Sequence, residues 1–224
     1  MFAGTVPPDF IDDVLKSSLF YQLAASGQHD PFRDTEAWRL EYIRMMIAFG
    51  QEASRTEALS IPLEGAGSLW DVIKNSLARQ VPHDLLSQTE ATFRHLEGED
   101  GTALKLFEQN TIQPLAEPTN TSSSDTSLSI VTTEEDLSPR AVALQLVFVD
   151  RAPFLTHAFI SFKTSSPVSI LPLIKQEQVV GNLELNLITT EFYADAYEDI
   201  KETVLEMLDP RRSSLIIELG EQAS

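Results

Sequence analysis

The stretch AVALQLVFV, residues 141–149, decides the architecture. Val142, Leu144, Leu146 and Phe148 recur with the two-residue period of a β-strand. The positions between them, Ala141, Ala143, Val147 and Val149, are apolar as well, so this strand asks for cover on both faces. Pro153 ends the run. Beyond it Ala158, Ile160 and Phe162 alternate with Phe159, Ser161 and Lys163, a second strand at a hairpin's distance.

Moving toward the carboxyl end, Val168 to Ile174 reads as a third strand, confined to an edge because Pro172 cannot donate to a ladder. Gly181-Asn182 precedes a further strand in which Leu183, Leu185 and Leu187 alternate with Glu184 and Asn186. Glu191 to Leu208 then has helical period, with Tyr193, Tyr197, Ile200, Val204 and Leu208 on one face and Pro210 to end it. Ser213 to Leu219 returns as a strand. The expected ending is therefore strand, helix, strand, with a right-handed crossover if the two strands are parallel neighbours.

Moving toward the amino end, the period changes to that of helices. Pro8-Asp9 starts one in which Ile11, Val14, Leu15, Leu19 and Leu23 recur before Gly27. Asp34 or Thr35 caps a second, where Trp38, Tyr42, Met45, Met46 and Phe49 form a stripe that Leu40, Ile43 and Ile47 widen, as if buried on more than one side. Ser68 with Asp71 caps a third, carrying Leu69, Val72, Ile73 and Leu77. Asp84 caps a fourth, carrying Leu85, Leu86, Thr89, Phe93 and Leu96, and Ala103 to Phe107 supports a short fifth. Trp38, Tyr42 and Trp70 on these helices read as core residues.

Between the two regimes the composition shifts. Residues 113–139 hold Pro114, Pro118, Pro139, a Ser/Thr-rich run and the acidic cluster Glu134, Glu135 and Asp136, without one Lys or Arg between Lys105 and Arg140. This is linker or long-loop composition. The fold class is α+β: a helical region over 1–112, the acidic linker over 113–139, and a β-rich region over 140–224 that includes the acidic helix. The two regions are separate domains, or the helices cover the faces of the sheet; the two-sided pattern of 141–149 favours the second.

Across 224 residues, 34 acidic side chains against 16 basic ones leave a formal charge of −18. That charge argues against nucleic acid or anionic lipid as a partner. It does not separate the regions, with 17 acidic and 9 basic residues up to position 112 and 17 and 7 after it. The absence of cysteine removes thiol catalysis, Cys-ligated zinc and iron–sulfur clusters. The amino-terminal residues lack the pattern of a signal peptide, and no apolar run reaches the roughly 20 residues of a membrane-spanning helix. A soluble protein is expected, cytoplasmic or released without a classical signal. On that footing Asn120-Thr121-Ser122 is an accidental match to the glycosylation pattern.

Signatures of chemistry are sparse. The clearest constellation is the carboxylate stripe Glu191, Asp195, Glu198, Glu202 and Glu206, which helical spacing gathers together with Asp199 and Asp209. It reads as a solvated face, or else as a docking surface for a basic partner or a weak divalent-cation site. His29, His83, His95 and His157 show no metal spacing, and each reads as an incidental surface or capping residue; His157 shares a strand face with Phe159 and Ser161. Gly65-Ala66-Gly67-Ser68 reads as a turn and N-cap, since the P-loop lysine and the dinucleotide spacing are absent. No catalytic residue, metal ligand or cofactor is assigned.

Three functions follow in order. The first is a non-enzymatic binding or assembly protein whose partner is a basic protein or a second copy of the chain. The second is a membrane-active protein, soluble before insertion, whose helices and strands rearrange at a bilayer; only under this reading is a membrane a partner. The order of helices followed by strands is faintly similar to that of Cyt-type cytolytic toxins, a likeness that no motif carries. The third is an enzyme with a dispersed histidine and carboxylate site.

Overall fold

Pro8, pre-set for the first turn of a helix, opens α1 (Pro8–Ser26), and Gly27 follows its end. α2 (Thr35–Ala48) packs against it. At Gly50 the backbone takes φ +89°, and a Cβ there would meet Ala196, Tyr193 and Tyr197 at 3.3 Å, so the chain turns where only glycine fits. It leaves as strand β1 (Gln51–Pro62). Next come α3 (Leu69–Leu77), α4 (His83–Gly98), α5 (Thr102–Thr111), β2 (Ile112–Pro114), β3 (Arg140–Arg151), β4 (Phe154–Thr164), β5 (Val179–Phe192) and α6 (Ala194–Leu208). These come from a computed structural model that describes residues 1–98, 102–115, 139–165 and 174–208.

The five strands form one antiparallel sheet in the order β1-β5-β4-β3-β2, consistent with the α+β class. Helices cover both faces. On one face the register aligns Val142 with Phe162, Leu144 with Ile160 and Leu185, and Leu146 with Ala158 and Leu187. This apolar array packs beneath Leu69, Trp70, Ile73 and Leu77 of α3 and Leu85, Leu86, Phe93 and Leu96 of α4. On the other face Val149, Leu155, Phe159, Ile188 and Phe192 pack beneath Val14, Phe20 and Tyr21 of α1, Trp38, Tyr42 and Met46 of α2, and Tyr197, Val204 and Leu208 of α6.

Local chemistry fixes the helices in place. Ser68 accepts the N–H of Trp70 as the N-cap of α3. Glu90 ties α3 to α4: its carboxylate takes the Lys74 ammonium at 3.1 Å, the Trp70 indole N–H at 3.2 Å and the Arg94 guanidinium at 3.0 Å. Arg94 first, then Lys74, hold that carboxyl below its ordinary range. On the opposite face Lys201 of α6 reaches Asp13 of α1 at 3.0 Å.

Several expectations need correction. Residues 51–62, inside the region read as helical, are a strand, and its cross-strand pairing with β5 from Gln51↔Phe192 to Pro62↔Asn182 holds it in place of hydrophobic alternation. β5 continues to Phe192, so Glu191 lies in the strand and α6 begins at Ala194. The reason is that Ile188, Thr190 and Phe192 keep the strand period, all facing the α1/α2/α6 layer. In α1 the buried face is Val14, Ser17, Ser18, Tyr21 and Ala25, while Leu15 is exposed and Leu19 and Leu23 are half-buried. α2 buries Trp38, Tyr42 and Met46 only; Leu40 and Ile47 stand on its outer side at 54% and 53% exposure. The strands read at 168–174 and 213–219 and the loop through 116–138 lie outside the described residues, apart from Ile174, which is buried.

Neighbouring positions on α2 test this assignment. Met46→Ala should lower the unfolding free energy in urea by about 2–5 kcal/mol, whereas Ile47→Ala should change it by no more than about 0.5 kcal/mol. Equal losses at the two positions would contradict the placement of the helix.

Candidate functional site

Of the acidic stripe, the structure keeps four members together. Asp195, Glu198, Glu202 and Glu206 are all exposed along α6, with Asp199 beside them, and Lys201 pairs with Glu198 at 3.4 Å while also holding Asp13. Glu191 is not one of them: it sits in β5 opposite Glu52 of β1 and Phe154 of β4. Asp209 lies outside the described residues. Among the described residues no group of three or more His, Cys, Asp or Glu is placed to hold a metal ion.

His157 departs from the expected surface or capping role. It is fully buried on β4, where its Nε2 lies 3.1 Å from Gln51 Oε1 and 3.3 Å from Thr190 Oγ1, and Thr190 Oγ1 donates to the same Gln51 oxygen at 2.8 Å. An amide oxygen only accepts, so the proton of the neutral imidazole is on Nε2. The Tyr42 ring packs 6.0 Å away, and Phe159 follows on the same face, as the strand spacing requires. Burial pushes the imidazole pKa down to about 3. His83 stands at the start of α4 with its Nδ1 3.3 Å from Ser87 Oγ. Gly65 and Gly67 lie in the bend that leads to Ser68, the N-cap of α3; a Cβ on either would meet only the end of the Gln176 side chain, at 2.8 and 3.1 Å, which can swing aside.

A cleft and an exposed apolar row carry no signal in the sequence. The cleft, about 650 Å³, opens where α1 and α2 stop covering the sheet. Its floor is two cross-strand rows, Gln145–Phe159–Asn186 and Ala143–Ser161–Glu184. Gln22 of α1 donates to Gln145 at 2.9 Å, and the Trp38 indole donates to Ser26 at 2.9 Å. The exposed row is on α2, where Leu40 and Ile47, with half-buried Ile43 between them, face away from the core. Arg44 beside them is satisfied by both oxygens of Glu41. α2 carries Glu36 and Glu41 against Arg39 and Arg44, while α6 carries five carboxylates against one lysine.

The buried His157 makes stability depend on pH. With a folded pKa near 3 and an unfolded value of about 6.5, the unfolded chain takes up the proton first. The stabilisation is complete above about pH 6.5 and is lost as pH falls toward 3, by at most about 1.4 kcal/mol per pH unit from this group. In urea titrations between pH 7 and 4, His157→Gln should show a flatter pH dependence than the natural chain; parallel curves would contradict the burial.

No family model and no curated protein matches the chain. Among solved structures the chain is similar to the activated Cyt2Ba monomer from Bacillus thuringiensis subsp. israelensis, at 12% sequence identity and a TM-score of 0.45 over 86% of this chain and 96% of that one.

Proposed function

We propose that the protein is membrane-active: a form that folds in water with its sheet sheathed by helices and carries that sheet to a bilayer. One observation supports this reading above the others. β1, β3, β4 and β5 are 12, 12, 11 and 14 residues long, at or above the roughly 9–11 residues a transmembrane strand needs. The two faces of the three inner strands differ. One is built from Val, Leu, Ile, Phe and Ala with Thr156 and Thr189 at one end, and the other mixes Val149, Leu155, Phe159, Ile188 and Phe192 with Gln145, His157, Ser161, Glu184, Asn186 and Thr190. Alternation of lipid-compatible and polar faces on strands of this length is the pattern of membrane-inserted sheets.

Energetics set the condition for release. Eight large side chains of the sheet (Val142, Leu144, Phe148, Ile160, Phe162, Leu183, Leu185 and Leu187) are buried on this face. At about 1.5–3 kcal/mol each, exposing them to water would cost on the order of 12–24 kcal/mol, as much as or more than the roughly 5–15 kcal/mol that holds a domain folded. The α3–α4 layer therefore stays in place in water and leaves only where an apolar phase receives the face. Among the described residues no helix is long and apolar enough to cross a membrane, so under this reading the strands are the inserting elements. The charge of −18 directs the protein to zwitterionic rather than anionic lipid.

A tether tests the reading. Ser68 and Lys175 face each other across an isolated antiparallel bridge flanked by Leu69 N–H→Ile174 O at 2.8 Å and Gln176 N–H→Gly67 O at 2.9 Å. This is a non-hydrogen-bonded pair, whose Cα separation of about 4.5 Å suits a disulfide. In a chain without cysteine, Ser68→Cys with Lys175→Cys makes a single crosslink that pins the start of α3 to the lead-in of β5. Dye release from phosphatidylcholine vesicles should be strong for the natural protein, suppressed at least about tenfold in the oxidised variant and restored by reduction. Silence of the natural protein over several lipid compositions and pH values would contradict the reading.

A second reading rests on the exposed row Asp195, Glu198, Glu202 and Glu206, which suits a basic protein partner. Under it, capture from the native source yields a stoichiometric, salt-sensitive partner, and Glu198→Lys with Glu202→Lys weakens capture. Unchanged capture by the double variant would remove α6 as the docking face.

A further inference from the structure

We propose that the cleft between α1, α2 and the exposed end of the sheet is a binding site for a neutral, hydroxyl-rich ligand of the carbohydrate class, whatever the protein does at a membrane. The sheet face toward α1, α2 and α6 is divided. Its covered end packs Val149, Leu155, Ile188 and Phe192 around the His157, Thr190 and Gln51 cluster, while its other end carries Gln145, Ser161, Glu184 and Asn186 in two adjacent rows. This polar end is the floor of the cleft, and the volume of about 650 Å³ lies within the range of small-molecule sites.

The chemistry of the lining selects the ligand class. An apolar ligand would strip water from the amides and hydroxyl of the floor and leave them unpaired, a cost that disfavours a lipid tail. An anion would meet Glu36 and Glu184 against the single guanidinium of Arg39, so the cleft offers no net positive charge to hold it. Ser161, Asn186 and Arg39 have no side-chain hydrogen bond to another described residue, which leaves them able to donate to and accept from hydroxyl groups. Phe159 on the floor and Leu19 and Leu23 on the wall supply the apolar strip on which the C–H face of a pyranose ring lies. The lack of net positive charge, the unengaged donors and acceptors, and one apolar strip together match a sugar and fit neither a phosphate nor an acyl chain.

The test is titration of the ¹⁵N-labelled full chain with glucose, galactose, mannose, N-acetylglucosamine and their β-1,4-linked disaccharides. The readout is the side-chain amide signals of Gln22, Asn110, Gln145 and Asn186. At least one sugar should shift these signals saturably, and Asn186→Leu or Ser161→Val should weaken that binding at least about tenfold while the melting temperature and circular dichroism stay unchanged. Asn75→Leu on the exposed side of α3 is the control that keeps full binding. Silence of all the sugars, shifts that survive both cleft variants, or a response to inorganic phosphate or laurate with none to sugar would each overturn the proposal. Because no vesicle enters this experiment, its failure leaves the membrane reading intact, and the failure of that reading leaves the cleft untouched.

Discussion

The double-sided burial of β4 is the constraint on which the rest of the structure depends. From Leu155 to Ile160 every residue of this strand is buried, so its side chains enter both cores in turn. A strand with that composition cannot border water on either side. It sits at the centre of the sheet, flanked by β3 and β5, and it forces a helical layer onto each face. One layer is α3 and α4, bound together through Glu90; the other is α1, α2 and α6, in which Lys201 of α6 pairs with Asp13 of α1 and α2 packs against α1.

The two layers are not equivalent. Beneath α3 and α4 the sheet is apolar except for Thr156 and Thr189 at one end, and the helices there supply a hydrophobic lid. Beneath α1, α2 and α6 the sheet mixes Ile188 and Phe159 with His157, Thr190 and Gln145, and burial pushes even the Tyr21 hydroxyl up to about 12. Some polar groups of that core are held by specific contacts, Gln51 Oε1 with His157 and Thr190, while Gln51 Nε2, His157 Nδ1 and the Tyr197 hydroxyl have no hydrogen-bond partner among the described residues. A polar core of this kind specifies one arrangement closely, whereas an apolar face accepts any apolar cover. The membrane reading follows from that asymmetry: the face under α3 and α4 is the one a lipid phase can take over.

Much of the fold was legible in the sequence, because each helix and the inner strands bury a periodic face. The pairs Leu85 and Leu86, Thr89, Phe93 and Leu96 are buried as their spacing requires, and Ser68 caps α3. β1 was not legible, since an edge strand exposed along most of its length carries no hydrophobic alternation and depends on its neighbour for its register. The start of α6 was misplaced because Glu191 continues an acidic helical pattern while Ile188, Thr190 and Phe192 continue a strand. The outer row of α2 read as core because Leu40 and Ile47 are apolar, and only the packing shows that Trp38, Tyr42 and Met46 are the residues that face inward. The site was less legible than the fold. His157 is distinguished by its depth and not by its neighbours in sequence, and the cleft is assembled from β3, β4, β5 and three helices, α1, α2 and α5, that share no motif.

The central claim is that the helices are a removable sheath over a sheet that persists. Hydrogen–deuterium exchange of the full chain, with and without phosphatidylcholine vesicles, measures this directly. On lipid, amides of α3 and α4 should exchange at least about tenfold faster while those of β3, β4 and β5 remain protected. Exchange that is unchanged by vesicles, or protection lost from strands and helices together, would contradict the account.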